Sequence, residues 1–298
     1  MNLPVEKDED ASLIRVWSLS DYQETPDHYR LSIKKEPQGI GSCFMHDEIQ
    51  PGEQIEIQSP MGRFVLDRSS FKPVLLIAGG VGITPLLAML KSHLARGEKA
   101  PPVYFIHCCK NRDNQLFREE LDWLANEYEV PILHVYDHPS INDVSGTDYQ
   151  IEGFLSIDHI HKLLEDCHII HGGKRVDMPL VEIDIYICGP PIFQENLYEV
   201  LVSAGANSDR IFQESFQANT GDRHSGLLEK SEVVFSQSEK IMEWKAGEDL
   251  SLLELAESAG LSPPNACRMG VCQSCSAIIK EGSVYYDFSL THTPEDNQ

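Results

Sequence analysis

Three cysteines crowd into nine residues near the C-terminus, in the order Cys267, Cys272 and Cys275. The spacing C-x4-C-x2-C is that of a loop around a plant-type [2Fe–2S] cluster, and Gly270 lets the backbone come close to such a cluster. A zinc site with His292 as fourth ligand is the alternative, but structural zinc usually uses two short C-x2–4-C knuckles. Because the chain begins with no apolar signal segment, the spacing predicts a metal centre rather than disulfides.

A second constraint is a buried turn between a strand and a helix. The apolar run Val74–Ala78 predicts a strand buried on both faces, and Pro85–Leu94 carries apolar residues at helical spacing. Between them lies the sequence GGVGITP at Gly79–Pro85. Glycines at such a turn let a phosphate approach the backbone, and the helix N-terminus offers amide donors. We expect Thr84 as the N-cap and Pro85 as the first helical residue; a plain tight turn is the alternative.

The pattern of strands and helices divides the chain into three domains. Residues 1–69 contain short alternating runs typical of antiparallel strands, and residues 70–217 alternate between strand and helix, which predicts a parallel sheet with helices on both faces. Residues 227–298 return to β-structure with one helix, after a polar linker. The strands expected in the first domain are Ile14–Leu19, Tyr29–Lys35, Gln54–Ile57 and Arg63–Leu66. The third domain is expected to contain the hairpin Val233–Ser236 with Ile241–Trp244, the helix Leu250–Ala259, and the hairpin Ala277–Ile279 with Val284–Tyr286.

Two turns together resemble the ferredoxin–NADP reductase superfamily. That family has a G-G-x-G-[IT]-x-P turn after a buried strand, and a C-G-P turn at the end of a later strand. In the family both turns contact the nicotinamide dinucleotide. The resemblance therefore implies that the dinucleotide-binding residues are Gly79, Gly80, Gly82, Thr84, Pro85, Cys188, Gly189 and Pro190.

The segment Arg15-Val16-Trp17-Ser18 resembles the flavin motif Arg-x-Tyr-Ser of the same superfamily. The family arginine contacts a flavin phosphate, the aromatic ring lies against the isoalloxazine, and the serine lies near N5. Trp17 keeps the stacking surface but lacks the phenolic hydroxyl. The resemblance adds Lys34, Glu36, Gly41 and Ser42 from the following strand and helix, and Glu214 and Phe216 from the end of the second domain.

The carboxyl-terminal region resembles plant-type ferredoxins, with the helix Leu252–Ala256 ahead of the cysteine loop. The resemblance implies an α+β ferredoxin-like β-grasp domain, so the whole chain is expected to be multidomain: a partial antiparallel flavin β-barrel, an α/β nucleotide-binding domain and this domain. The family's fourth cysteine does not occur in the 23 residues after Cys275, and only 14 residues precede Arg15. The resemblance therefore implies incomplete modules at both ends.

The order of the domains is similar to that of phthalate dioxygenase-type reductases, whereas the first domain is closer to flavohaemoglobin reductase modules. The first comparison implies FMN and the second FAD, which we favour slightly. Arg112 follows the second strand of the nucleotide domain, where it could hold a 2′-phosphate, so NADH and NADPH both remain open.

The resemblance implies a relay from NAD(P)H through flavin to a [2Fe–2S] centre and on to a partner oxygenase or another redox protein, with no catalytic acid–base residue. A net charge of −23 argues against nucleic acid as a partner, and no apolar run is long enough to span a membrane. A cytoplasmic protein is expected. The alternatives are a truncated paralogue that acts as a non-catalytic binding protein, and a zinc-stabilised scaffold.

Overall fold

A six-stranded parallel sheet is the centre of the molecule. The computed structural model describes residues 2–4, 12–37, 39–57, 59–216, 230–245, 250–264 and 275–284. The sheet has the strand order β10-β9-β3-β4-β5-β6, and all of its neighbouring strands are parallel. Its strands are β3 Val74–Gly79, β4 Val103–Cys109, β5 Ile132–Tyr136, β6 Ile151–Glu152, β9 Asp184–Cys188 and β10 Ile211–Glu214.

The sheet is sandwiched between two apolar layers, as its continuous apolar strands predict. All six residues of β3 are buried, so their side chains alternate between the two faces of the sheet. One layer contains Leu76 and Phe105 with Leu87, and the other contains Ile77 and Ile185. The helices that cover the sheet are α2 Ile83–Leu94, α3 Arg118–Tyr128, α4 Ile157–Leu163 and α5 Pro191–Ser203.

The helix after the glycine turn begins earlier than the sequence suggests. A single 3₁₀ turn spans Gly80–Gly82, and α2 follows at Ile83 with Gly82 as the N-cap. The prediction that Thr84 is the N-cap and Pro85 the first helical residue is therefore wrong. The Thr84 hydroxyl instead donates to the Val81 carbonyl at 3.1 Å, which closes the 3₁₀ turn from within the helix.

The amino-terminal segment, residues 15–72, is less regular than expected. A short antiparallel pair, β1 Asn2–Pro4 with β2 Ser12–Ile14, precedes it, and it contains the helix α1 Ile40–Asp47. Its described residues form isolated bridges, including Leu19 with Leu31, rather than the continuous strands predicted at Ile14–Leu19, Tyr29–Lys35, Gln54–Ile57 and Arg63–Leu66. Those strand predictions are wrong because alternation supplies an apolar face, whereas a strand also requires a paired neighbour.

Among the described residues, two further hairpins lie outside the main sheet. The first, β7 His168–His171 with β8 Lys174–Asp177, was not expected; Gly172 and Gly173 form its turn with φ of 57° and 73°, values that favour glycine. The second, β11 Lys230–Phe235 with β12 Lys240–Lys245, confirms the predicted hairpin in the third domain.

The helix α6, Leu252–Ser258, confirms the next predicted element of the third domain. Ser251 and Glu254 form a reciprocal capping box at its start. The predicted strand Ala277–Ile279 is irregular, and most of its predicted partner Val284–Tyr286 lies outside the described residues. Among the described residues, no helix combines the length and apolarity needed to cross a bilayer.

Candidate functional site

The two glycine turns predicted from the sequence are in direct contact. They follow β3 and β9, which are neighbours in the sheet, with Ala78 paired to Cys188. A Cβ atom built on Gly82 would lie 2.2 Å from the Cys188 carbonyl oxygen and 2.7 Å from the Gly189 nitrogen. Only glycine therefore allows the turn after β3 to pack against the turn after β9.

The space beside the first turn is open. A Cβ on Gly80 would meet no atom within 4 Å, and its φ of 54° is a conformation that favours glycine. The turn leads directly into α2, whose first amides and dipole favour an anion. It therefore offers room and donors for a phosphate group.

A buried histidine on the neighbouring strand β4 contacts the same turn. His107 of β4 is fully buried, and its Nε2 lies 3.4 Å from the Gly80 carbonyl oxygen, so the neutral ring donates from Nε2. Burial, with the charges of His134 and Arg118, lowers the pKa of His107 to about 3. His107 is thus neutral at pH 7, and its Nδ1 has no hydrogen-bond partner in the described part of the chain.

The turn after β9 carries a neutral thiol. Burial, and next the Glu214 carboxylate, raise the pKa of Cys188 well above its usual range. Gly189 lies tight against the Phe193 ring and the Gly79 backbone, since an added Cβ would be 2.8 Å from the ring and 3.1 Å from the Gly79 Cα. Pro190 is the N-cap of α5.

Gln194, which the sequence analysis missed, connects this turn to the end of β10. It is buried, and its Nε2 donates to the Gly189 carbonyl at 2.7 Å and to the Glu214 carbonyl at 2.8 Å. Its position was visible as a polar residue on the apolar stripe of α5, three and seven residues before Leu197 and Leu201. A buried amide on such a stripe requires polar partners.

The amino-terminal segment reaches the same edge of the sheet. Ser18 donates to the Glu214 carboxylate at 3.2 Å, and Glu214 pairs with Cys188 in the ladder of β10 and β9. Phe216 packs against the core layer that contains Cys188. The structure therefore brings Ser18, Glu214 and the two glycine turns together, although they come from distant parts of the sequence.

Most of the other predicted flavin residues lie in the amino-terminal segment, where several contact one another. The Arg15 side chain crosses Gly41, because a Cβ there would lie 2.7 Å from the Arg15 Cγ. Trp17 is half-buried. The Ser42 hydroxyl accepts from the Glu36 amide at 3.1 Å and donates to the Gly39 carbonyl at 3.1 Å.

Three predicted residues have partners of their own. Lys34 and Glu36 form an exposed ion pair with each other at 2.7 Å. Arg112 forms an ion pair with Asp148, whose side chain is buried. Of the predicted cluster ligands, Cys275 is half-buried, whereas Cys267 and Cys272 lie outside the described residues, as does His292.

A cavity of about 610 Å³ lies at the opposite, amino edge of the sheet. Both of its cations are paired, Arg210 with Asp184 and Lys72 with Glu182, and Asp184 also accepts from the Ser70 hydroxyl. The volume of a cavity therefore does not identify the functional site in this protein. The packing of the two glycine turns identifies it.

Comparison with known families divides the chain into two parts. Residues 76–198 match the model of the oxidoreductase NAD-binding domain, and residues 236–298 match that of the 2Fe-2S iron-sulfur cluster binding domain. The flavohemoprotein of Deinococcus radiodurans is 36% identical over 204 residues, which cover 68% of this chain and 46% of that protein. The flavohemoprotein of Bacillus subtilis is 33% identical over 209 residues, covering 70% and 48%. The chain spans about half the length of the curated relatives it matches.

Solved structures share the fold at low identity. Phthalate dioxygenase reductase, described as a modular structure for electron transfer from pyridine nucleotides to [2Fe-2S], superposes with a TM-score of 0.56 at 23% identity, covering 90% of this chain and 73% of that one. The flavohem-like FAD/NAD binding domain of nitric oxide dioxygenase from Vibrio cholerae gives 0.58 at 24% identity, covering 72% and 81%. The fold is therefore the multidomain reductase fold expected from the sequence.

Proposed function

The chain belongs in residues 76–198 to the oxidoreductase NAD-binding family and in residues 236–298 to the 2Fe-2S cluster binding family, and from this premise we propose that it is an NAD(P)H-dependent reductase of the ferredoxin-reductase type. In such a protein the dinucleotide gives hydride to a flavin, and electrons continue singly to a [2Fe–2S] centre and to a partner oxygenase or another acceptor. The chain's own residues bind and orient these groups.

One observation carries the proposal. Gly82 packs on the Cys188 carbonyl, and Ser18 bonds to Glu214 beside Cys188, so the dinucleotide turns and the flavin motif meet at one edge of the sheet. Ligands of parallel sheets bind at the carboxyl ends of the strands, which is this edge. Hydride transfer requires the two rings in contact, and this edge is where residues for both rings converge.

On the dinucleotide side, the Gly80–Gly82 turn and the first turn of α2 would hold the pyrophosphate. Gly80 leaves room for it, and the helix amides donate to it. Cys188 is fully buried, and burial raises the pKa of its thiol well above the usual range, so the turn carries a neutral thiol. No side chain there has to move a proton, because hydride passes directly between the two rings.

On the flavin side, Arg15 and the start of α1 would contact the phosphate. The helix begins at Ile40 with Gly39 as N-cap and no side-chain cap, which leaves its amides for a ligand. Trp17 supplies an aromatic surface, and Ser18, oriented by Glu214, supplies a hydroxyl. We favour FAD, because the similar domain from Vibrio cholerae is described as an FAD/NAD binding domain.

The test is a separation of the two electron-transfer steps in the full chain. Cys272→Ala is expected to abolish reduction of a one-electron acceptor while anaerobic flavin bleaching by NADH or NADPH continues. Cys167→Ala, which changes a buried cysteine outside the cluster loop, is the matched control and should leave both steps intact. A colourless purified protein, or loss of both steps in Cys272→Ala, would contradict the proposal.

A further inference from the structure

The loop after β4 holds an arginine that is already paired. Arg112 begins the single 3₁₀ turn Arg112–Asn114, directly after β4. Its Nη1 contacts the Oδ1 of Asp148, which lies in the loop between β5 and β6. The Arg112 side chain is 60% exposed, whereas that of Asp148 is only 4% exposed. The pair thus joins a surface cation to a buried carboxylate.

Asp148 is fixed within its own loop, so its carboxylate would stay in place if the Arg112 side chain moved. Its Oδ2 accepts from the Val144 amide at 2.8 Å, and its own amide donates to the Val144 carbonyl at 2.8 Å. Arg118 holds the same loop by donating to the carbonyls of Asp148 and Thr147, the second at 2.8 Å. The Val144 amide and the Arg112 guanidinium keep the pKa of Asp148 below its usual range, so the carboxylate is charged at pH 7.

The order of strands places this pair at the adenosine end of the dinucleotide. β9 and β4 flank β3 on opposite sides. With a pyrophosphate on the turn after β3 and a nicotinamide at the end of β9, the adenosine would extend the other way, over the end of β4. Neighbouring strands are about 5 Å apart, so the adenosine ribose lies within reach of the Arg112 loop.

We propose that Asp148, through its ion pair with Arg112, makes the chain select NADH against NADPH. The inference rests on the proposed function and deepens it by naming the dinucleotide. A 2′-phosphate carries almost two negative charges and would need the Arg112 guanidinium. If Arg112 turned to the phosphate, a buried carboxylate would lose its cation and would also repel the new anion. The neutral 2′-hydroxyl of NADH imposes neither cost.

The experiment compares two adenosine ligands by calorimetry on the full chain: adenosine 5′-monophosphate and adenosine 2′,5′-bisphosphate. The wild type is expected to bind the bisphosphate no more tightly than the monophosphate. Asp148→Asn removes the charge but keeps the shape, and should raise the affinity for the bisphosphate about tenfold relative to the monophosphate, since one charge-assisted contact becomes available. The kcat/KM ratio of NADPH to NADH should rise by a similar factor.

The matched control is Asp143→Asn on the same loop, where the carboxylate accepts from the Ser140 amide and Arg112 keeps its partner. It removes the same charge and should leave the ratio of the two ligands unchanged. Equal gains in bisphosphate affinity in both variants would overturn the inference, as would a wild type that prefers the bisphosphate. The measurement on the wild type remains a test even if Asp148→Asn fails to fold. Nucleotide binding without flavin reduction would instead contradict the proposed function.

Discussion

The six-stranded sheet and the amino-terminal segment beside it differ in where their stabilising contacts lie. The strands β3, β4 and β9 are buried almost completely and pack against their own helices. The amino-terminal segment leaves apolar side chains exposed, such as Ile57 at 50% and Val65 at 65%, and apart from α1 its described residues form only isolated bridges. Its order therefore depends on side-chain contacts with the sheet.

One group of those contacts is an ion network. Lys91 of α2 contacts Asp21 and, at 3.0 Å, Glu120 of α3, which also accepts from Arg30 at 3.0 Å. The Arg30 guanidinium lies 5.1 Å from the centre of the Phe117 ring. The side chains of these four charged residues are 18–32% exposed, so the ion network is only partly screened by water. The sheet packs against its own helices, whereas the segment is held by this network, by the bond from Ser18 to Glu214, and by contacts near its end, where Phe64 packs against the core and Ser70 bonds to Asp184.

The largest difference in stability is expected between two glycine substitutions, one at the sheet and one in the amino-terminal segment. In Gly82→Ala the new methyl group meets the Cys188 backbone at 2.2 Å, which cannot give way without disturbing the sheet edge. We expect a loss of about 3 kcal/mol in the free energy of unfolding, with dinucleotide binding abolished. In Gly41→Ala the methyl group meets the Arg15 side chain at 2.7 Å, which can move. Denaturant unfolding should show a much smaller loss there; equal losses would contradict the comparison.

The next effect concerns acid stability of the sheet. His107 has its folded pKa depressed to about 3, so between that value and its ordinary 6.5 the unfolded state binds one more proton. Its contribution to stability is present above pH 6.5 and is lost as the pH falls, at about 1.4 kcal/mol per pH unit. His107→Gln can still donate to the Gly80 carbonyl but does not titrate. Unfolding measured from pH 6 to pH 4.5 should have a slope shallower by that amount, and an unchanged slope would refute the assignment.

A smaller loss of stability is expected from a substitution in the ion network, and it should affect the amino-terminal segment more than the sheet. Lys91→Met removes the central cation of the network and is expected to cost about 1–2 kcal/mol, between the values for exposed and buried pairs. Hydrogen exchange should increase in residues 20–32 while β3 and β4 keep their protection. Lys35→Met, which breaks an exposed pair with Asp47 within the segment, is the control and should change neither. Uniform exchange increases in Lys91→Met would mean that the segment and the sheet unfold as one unit.

The smallest effect is expected from Ser18→Ala. The hydroxyl donates to Glu214 at 3.2 Å in a partly exposed setting, so its loss should cost about 0.5–1 kcal/mol. Hydrogen exchange should rise near residues 15–20 only. If the flavin is held at this edge, its affinity should fall in the same variant, and unchanged flavin affinity would place the ring elsewhere.

The same contrast explains what could be predicted from the sequence. Continuous apolar runs identify β3, β4 and β9, and glycines mark both turns, because these signals are local. The contact of Gly82 with Cys188 follows once the two strands are neighbours. The network around Lys91 depends on side chains far apart in the sequence, so no local pattern reveals it. The apolar stripe of α5 marks Gln194 as buried, but it does not reveal that Gln194 bonds to the end of β10. Alternation in residues 15–72 predicted strands that lack continuous pairing in the described chain.

The central claim is that the dinucleotide turns and the flavin motif share one edge of the sheet. Anaerobic mixing of NADH with the flavin-loaded full chain tests this most directly, with flavin absorbance followed over time. The account predicts rapid bleaching in the wild type and none in Gly82→Ala that retains its flavin. A wild type that binds both flavin and NADH yet shows no bleaching would contradict it.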